Sequence, residues 1–325
     1  MIIQTKPSIM KKVRLFLSTM LMLTAASVLA QPTVYFTREI TPESLVKIYK
    51  ALGVEATGRV AVKISTGEGG NTHYLKPPLI RQLVEEVNGT IVECCTAYPG
   101  SRMDPKKHWE TIHEHGFDSI FAVDLMDEFG DLRIPVKDHK HLRYNIVGNH
   151  LPNYNFMINL AHFKGHAMGG FGGVLKNASI GVASTAGKAN IHTAGITEDA
   201  ADLWNHIDDQ DGFLESMAAA AQAVHNYFSG HVIYINVMNN MSVDCDCDGH
   251  PAKPELQDIG IMASLDPVAV DQACLDMVFN YKGKPGDDNQ PLIERINRQH
   301  GTYITDYAEQ IGLGSKTYTL INLDE

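Results

Sequence analysis

The chain has 325 residues, of which 44% are apolar and 20% are charged, and this composition excludes disordered, collagen-like and coiled-coil proteins. Its 27 basic and 38 acidic residues give a formal charge of −11, which argues against a surface that binds nucleic acid or anionic membranes. We therefore expect an acidic globular protein without a nucleic-acid partner.

The first thirty residues have the pattern of a secretory signal peptide. A basic end with Lys11, Lys12 and Arg14 precedes an apolar stretch over residues 15–29, and the small residue Ala30 follows this stretch. The stretch is shorter than the roughly 20 residues that a membrane-spanning helix needs. We expect cleavage after Ala30, Sec-type export to the periplasm or the medium, and no membrane anchor afterwards. The mature chain then carries a formal charge of −15.

Residues 31–325 alternate short β-rich runs with amphipathic helical patterns, which is typical of a single α/β domain. In the first half, the patterns predict strands and helices in alternation: strand 34–37, helix 42–50, strand 60–64, helix 79–87, strand 91–94, helix 105–116 and strand 120–124. In the second half, they predict a hairpin at 132–136 and 142–147, strand 156–160, helix 213–228, strands 232–237 and 259–264, a helix that begins after Asp266, two more helices and strand 318–322. This order predicts a mixed, mostly parallel sheet with helices on both faces.

A glycine-rich segment, residues 165–195, contains eight glycines and no acidic side chain. Glycines such as Gly170 and Gly173 let the backbone approach a ligand closely, and the N-terminus of a following helix favours an anion. Neither a Walker A loop nor a dinucleotide-binding fingerprint is present. We expect a functional loop with a short helix that binds a small anionic ligand.

Several ionisable residues lie where predicted strands end, and ligands of open α/β sheets collect beyond the carboxyl ends of strands. Lys63 interrupts an apolar strand, so it either contacts a ligand or is a surface lysine of an edge strand. His162, Lys164 and His166 alternate on one side of the chain after the central strand. We assign catalytic roles to His162, Lys164 and His166, cofactor binding to Lys63, Gly170, Gly173, Lys176 and Asn177, and metal binding to His192.

Two further candidate metal ligands, Cys245 and Cys247, alternate with three aspartates. Thiolates favour zinc, copper or iron, whereas carboxylates alone favour calcium or magnesium. Cys94 and Cys95 could add two more sulfurs. Disulfides, a metal site and free thiols remain open for these four cysteines, whereas the spacing of Cys274 along its helix indicates a core position.

The mature chain resembles domain-of-unknown-function family 362 in the segments 157–166 (MINLAHFKGH), 175–177 (LKN), 191–192 (IH), 245–247 (CDC) and 258–267 (DIGIMASLDP). The resemblance implies no assigned activity, although some members carry ferredoxin-like iron–sulfur segments. The C-x-x-C-x-x-C runs of such segments are missing here, so a divalent metal ion is favoured over an iron–sulfur cluster.

The spacing of His166, Lys176 and His192 is similar to the active-site segment of lactate racemases. That resemblance implies a nickel-pincer nucleotide on Lys176, nickel ligation by His192 and proton transfer by His166, a role that suits the near-neutral pKa of histidine. We favour a simpler divalent metal ion over this cofactor. The sequence thus predicts a metal- or cofactor-dependent enzyme for a small anionic, hydroxy-acid-like substrate. The alternative is a non-catalytic metal- or iron–sulfur-associated binding protein that uses the Cys-Asp-Cys loop.

Overall fold

The computed structural model describes residues 31–283 and 286–325, so the predicted signal peptide lies outside the described residues. The strands are β1 (Thr33–Thr37), β2 (Val60–Lys63), β3 (Gly89–Glu93), β4 (Val123–Leu125), β5 (Asp131–Pro135), β6 (Tyr144–Gly148), β7 (Phe156–His162), β8 (Lys164–His166), β9 (Gly170–Gly172), β10 (Val232–Met238), β11 (Gly260–Ser264) and β12 (Thr319–Asn322). The α-helices are α1 (Pro42–Ala51), α2 (Pro77–Glu86), α3 (Pro105–Glu114), α4 (Val174–Ser179), α5 (Thr185–His192), α6 (Gln210–Tyr227), α7 (Pro267–Phe279), α8 (Gln290–Arg298) and α9 (Tyr303–Gln310).

The main sheet has the strand order β12-β1-β11-β10-β7-β2-β3-β4. Its neighbours are parallel except where β11 pairs with β1 and with β10. The prediction of a mixed, mostly parallel sheet is therefore confirmed. The predicted hairpin is also present, as the antiparallel pair β5 and β6 outside the main sheet.

Strand β7 lies inside the sheet, and all seven of its residues are buried. Successive side chains of a strand point to opposite faces. Ile158 and Leu160 accordingly pack into the core that helices α1 and α2 cover, whereas Met157 and Ala161 pack into the core that contains helix α6. Helices thus cover both faces, as the alternation of strands and helices predicts.

Three helices begin where the sequence places capping residues. The side chains of Thr41, Asp104 and Asp266 accept hydrogen bonds from backbone N–H groups two or three residues further on, at the starts of α1, α3 and α7. Each is followed directly by a proline at the first helical position. Among the described helices, none has both the length and the apolar character that crossing a bilayer requires.

The glycine-rich segment differs from the predicted loop with a short helix. It forms the antiparallel hairpin of β8 and β9, followed by the two short helices α4 and α5. Strands β2, β3, β7 and β10 run in the same direction, so their carboxyl ends meet at one edge of the sheet. In register, Lys63 lies opposite Asn159, and Val237 lies opposite His162. The candidate site forms at this edge.

Candidate active site

The site is a pocket of about 870 Å³, including the space open to solvent, at the carboxyl ends of β2, β3 and β7. These strands end in Lys63, Glu93 and His162, which all line the pocket. The β8–β9 hairpin, helices α4 and α5 and the loop between β10 and β11 supply further walls. Of the candidate residues predicted from the sequence, those that line this pocket are Lys63, His162, Lys164, His166, Gly173, Lys176, Asn177, His192, Cys245 and Cys247.

Asp246 connects the central strand to the cysteine-bearing loop. Its Oδ1 lies 2.7 Å from Nδ1 of His162, and its Oδ2 accepts a hydrogen bond of 2.6 Å from Nζ of Lys164. Nε2 of His162 lies 2.6 Å from the carbonyl oxygen of Asn239. Burial raises the pKa of Asp246, but the charges of Lys164 and His162 outweigh burial and hold this pKa far below its usual value. Both ring nitrogens of His162 thus have a hydrogen-bond partner, and Lys164 is ion-paired with Asp246.

Lys63 belongs to a second buried network and is not a surface residue of an edge strand. Its Nζ donates to Oε2 of Glu93 at 2.7 Å, and Arg102 approaches the other carboxylate oxygen at 3.4 Å. Burial raises the pKa of Glu93, but the charges of Lys63 and Arg102 dominate and hold it at about 2. Arg102 also binds Glu68, so the network fixes the ends of β2 and β3 together.

Lys176 differs from the other lysines of the pocket in its lack of a partner. Within the part of the chain that the structure describes, its Nζ has neither an ion pair nor a hydrogen bond. Burial and the nearby charge of Lys164 lower the pKa of Lys176 to about 7. A large fraction of this amine is therefore uncharged and nucleophilic near neutral pH.

Two histidines of the pocket are both engaged at Nδ1 but differ in their tautomer. Nδ1 of His192 donates to the carbonyl oxygen of Lys188 at 2.7 Å, which leaves a lone pair on Nε2. Burial lowers the pKa of His192 to about 4, so the ring is neutral at pH 7. By contrast, Nδ1 of His166 accepts hydrogen bonds from the backbone N–H groups of Met168 and Gly169 at 3.2 and 2.8 Å. This geometry favours the neutral His166 tautomer with its proton on Nε2, a hydrogen-bond donor.

The cysteines form one disulfide, between Cys245 and Cys247, and Cys94 and Cys95 are free and buried. The four-sulfur arrangement is therefore not formed. The Sγ atom of Cys94 donates to the carbonyl oxygen of Val182 at 3.3 Å, and burial raises the pKa of Cys94 well above its usual value. One ring nitrogen of His166 and the sulfurs of Cys245 and Cys247 all lie within 4.8 Å of one another.

The N-terminus of α4 is already occupied by a carboxylate of the protein. Asp271 accepts hydrogen bonds from the backbone N–H groups of Val174 and Leu175, each at 2.9 Å. The expectation that this helix end binds an external anion therefore needs correction, because Asp271 fills it. Asn177 is also engaged, since its amide donates to the carbonyl oxygen of Lys63 at 2.9 Å.

Gly170 does not line the pocket. Its φ of +79° favours glycine, and a Cβ added there would lie 2.9 Å from the Cα atom of Gly301. The close approach that the glycine pattern predicts is thus an approach of Gly301 and not of a ligand.

The pocket carries surplus positive charge in an acidic protein. Among the described residues, five basic side chains line it, namely Lys63, Arg102, Lys164, Lys176 and Lys188, against two acidic ones, Glu93 and Asp246. The surplus is three charges when Lys176 is protonated, and two when Glu68, the partner of Arg102, is included. Lys188 donates to the carbonyl oxygen of Ala183. An anion is the ligand that this charge distribution favours.

Several residues of the site are not among those predicted from the sequence. Glu93 could have been found as an acid inside an otherwise apolar strand, and Lys188 as the second lysine of the acid-free segment 165–195. Arg102 and the exposed Trp204 also line the pocket. Both lie outside the strands and α-helices, so no periodic pattern in the sequence marks them.

Comparison with solved structures gives distant similarities. A Thermotoga maritima protein matches at 14% identity and a TM-score of 0.44 over 72% of this chain and 57% of that chain. The lactate racemase apoprotein from Thermoanaerobacterium thermosaccharolyticum matches at 15% identity and a TM-score of 0.36 over 62% of this chain and 50% of that one. This chain therefore spans about half the length of these structures.

No curated protein matches the chain. A family model described as "Domain of unknown function (DUF362)" matches residues 60–276, which include the walls of the pocket from Lys63 to Cys247. Because this match spans about two thirds of the sequence, the chain belongs to the DUF362 family.

Proposed function

We propose that this protein is a metal- or cofactor-dependent enzyme that acts on a small anionic, hydroxy-acid-like substrate. The observation that carries the proposal is the unpartnered amine of Lys176, in a pocket with surplus positive charge. Such an amine can form a covalent bond to a carbonyl or acyl group of a cofactor or substrate, because its uncharged form persists near pH 7. We therefore keep Lys176 as the predicted attachment point.

In this proposal, His192 accepts a proton or ligates a metal ion through Nε2. Its Nδ1–H is held by the carbonyl oxygen of Lys188, and such a contact fixes the tautomer of metal-binding and basic histidines. His166 has the opposite tautomer, so a general-base role would first require loss of its Nε2 proton. We therefore assign the base to His192, and to His166 a hydrogen bond to the substrate oxygen.

The substrate's carboxylate fits the lysines that line the pocket. Lys188 binds a carbonyl oxygen and no carboxylate of the described residues, so it is the best candidate to receive the anion. Lys164 and His162 have weaker support as catalytic residues, because Asp246 holds both. We assign them the positioning of the cysteine-bearing loop. Trp204, which is 52% exposed, lines the pocket together with the apolar residues Leu203 and Ile180.

Binding measurements with lactate and lactamide test the ligand class, because the two differ in charge but hardly in shape. Trp204 fluorescence can report binding, since the chain's other tryptophan, Trp109, does not line the pocket. We expect lactate to bind at least about tenfold more tightly than lactamide, and Lys188→Gln to abolish the difference. Equal binding of the two probes would overturn the anionic substrate class. Lys253→Gln, a change at an exposed lysine, is the control.

Metal analysis and intact mass of protein purified from its natural source test the cofactor. An added mass that disappears in Lys176→Gln, or a metal that disappears in His192→Gln, is the expected result. Absence of both would remove the cofactor and metal from the proposal.

We also propose export, on the N-terminal pattern, and expect the purified protein to begin at Gln31.

The alternative function, a non-catalytic metal-binding protein, is favoured by the proximity of His166, Cys245 and Cys247. Two observations weigh against it: the two sulfurs are bonded to each other, and the tautomer of His166 leaves no lone pair on Nε2. A metal that binds only after reduction and is lost in Cys247→Ser would support this alternative.

A further inference from the structure

The disulfide between Cys245 and Cys247 lies in the wall of the pocket, where small molecules can reach it. Cys245 is buried, with 4% of its surface exposed, whereas Cys247 is partly exposed. We propose that this disulfide is a redox-active centre that oxidises small dithiols entering the pocket. The activity needs neither Lys176 nor His192, so it goes beyond the function proposed above.

A purely stabilising role explains this disulfide poorly. The bond spans a single intervening residue, Asp246, and the entropy that a disulfide removes from the unfolded chain is small for so short a loop. Asp246 is also fixed without the bond. Its backbone oxygen accepts from the N–H of Glu68 at 2.7 Å, and its carboxylate binds His162 and Lys164. The disulfide therefore adds little to the order of the loop.

The surroundings of Cys245 favour a thiolate that leaves during exchange. Its sulfur accepts a hydrogen bond from the backbone N–H of Cys247 at 3.3 Å. One ring nitrogen of His166 lies within 4.8 Å of both sulfurs, and because Nδ1 accepts from two backbone N–H groups, we take Nε2 as the nitrogen that donates to a sulfur anion. Cys245 is therefore the leaving sulfur and Cys247 the attacked one.

The exchange balances with a dithiol as the reductant. One thiolate of the dithiol attacks Sγ of Cys247, the bond between the two protein sulfurs breaks, and its electron pair remains on Sγ of Cys245. The second thiol of the dithiol loses its proton and attacks the dithiol's first sulfur, which is bonded to Sγ of Cys247 in the mixed disulfide. This step releases Cys247 as a thiolate. The dithiol becomes a cyclic disulfide, and the protein gains two thiols.

Thiol counting on the wild-type protein is the first test. After equilibration with oxidised glutathione, alkylation in denaturant should label three of the five cysteines, namely Cys94, Cys95 and Cys274. After native incubation with dithiothreitol, all five should be labelled, with one dithiothreitol oxidised per chain. A disulfide that stays intact under native conditions, or five thiols after the oxidised glutathione step, would overturn the proposal. Five thiols that accompany one tightly bound metal ion would assign the pair to a metal centre instead.

Two variants test the assigned sulfurs. In Cys245→Ser, the remaining thiol of Cys247 should capture glutathione from oxidised glutathione at least about tenfold faster than Cys245 does in Cys247→Ser, because Cys247 is partly exposed whereas Cys245 is buried. Equal or reversed rates would refute the assignment of the attacked sulfur. The thermal unfolding of both variants shows whether they are folded, and the wild-type thiol count stands independently of them.

A third variant tests the donor. His166→Asn should slow reduction of the disulfide by dithiothreitol at least about tenfold without changing the final thiol count. His250→Gln, at an exposed histidine three residues beyond Cys247, is the matched control and should react at the wild-type rate. An unchanged rate in His166→Asn would contradict the role of His166 in the exchange.

Discussion

The carboxylate of Asp271 packs against the backbone of Gly173 so closely that an added Cβ would lie 2.3 Å from its Oδ1 atom. The same carboxylate accepts the first N–H groups of helix α4, which carries Lys176. A side chain at residue 173 would therefore displace the group that holds the start of this helix.

We expect Gly173→Ala to lower the free energy of unfolding by about 1–3 kcal/mol, because the methyl group overpacks a buried site and disturbs two hydrogen bonds. Urea denaturation measures this change. Gly172→Ala is the matched control, since the nearest atom to its Cβ, Cδ of Lys176, would be 3.4 Å away. Equal stabilities of the two variants would contradict the contact.

Asp271 also predicts a pH dependence of stability. Burial raises the pKa of Asp271 to about 6 in the folded protein. The folded state therefore holds this proton more tightly than the unfolded state, so the contribution is complete below about pH 4 and is lost as the pH rises through 6. The free energy of unfolding of the wild type relative to Asp271→Asn should fall by about 2 kcal/mol between pH 4 and 7. Urea denaturation at each pH measures it, and a constant difference would refute the raised pKa.

The lowered pKa of Lys176 predicts selective chemical modification. Burial and the charge of Lys164 bring this pKa to about 7, so labelling by an amine-reactive reagent should rise with a midpoint near pH 7. Exposed Lys253 is the comparison site for the same reagent. Peptide mass spectrometry after brief labelling at several pH values distinguishes the two sites. A common midpoint would mean that the pocket does not shift the Lys176 amine.

Asp246→Asn should be strongly destabilising, because Lys164 and His162 would lose the buried carboxylate that binds both. Removal of one member of a buried ion pair costs about 3–5 kcal/mol. Asp248→Asn in the same loop should change the free energy of unfolding by less than about 1 kcal/mol, since Asp248 is exposed. Urea denaturation of the two variants provides the comparison. Similar losses would show that Asp246 does not carry the connection between loop and strand.

Local patterns predict the elements of this fold, because capping residues, prolines and apolar periodicity act within a few residues. Asp104 is followed by Pro105 and begins a helix, as its residue type indicates. The position of Lys63 at the end of a predicted strand also placed it at the edge of the sheet where the pocket forms. For the same reason His162, Lys164 and His166 could be expected near one another.

The partners of these residues could not be predicted, because they come from distant parts of the chain. Asp246 binds His162 across 84 residues, and no local pattern relates the two. The protonation of His166 depends on two backbone N–H groups whose direction follows from the turn between β8 and β9. Gly170 shows the opposite case, in which a correct signal for close approach did not reveal that Gly301 is the approaching group.

The loop that carries Cys245, Asp246 and Cys247 starts and ends on paired neighbours of the sheet, since Met238 of β10 lies opposite Gly260 of β11. Two antiparallel strands at this distance can be joined by a turn of two residues. The 21 residues between them are therefore an insertion that the sheet itself does not require. A protein with a short turn in their place would keep its strand order and lose one wall of the pocket. In this protein, the proposed sulfur chemistry lies in an insertion between two paired strands, and the carboxylate of Asp246 binds that insertion to the end of β7.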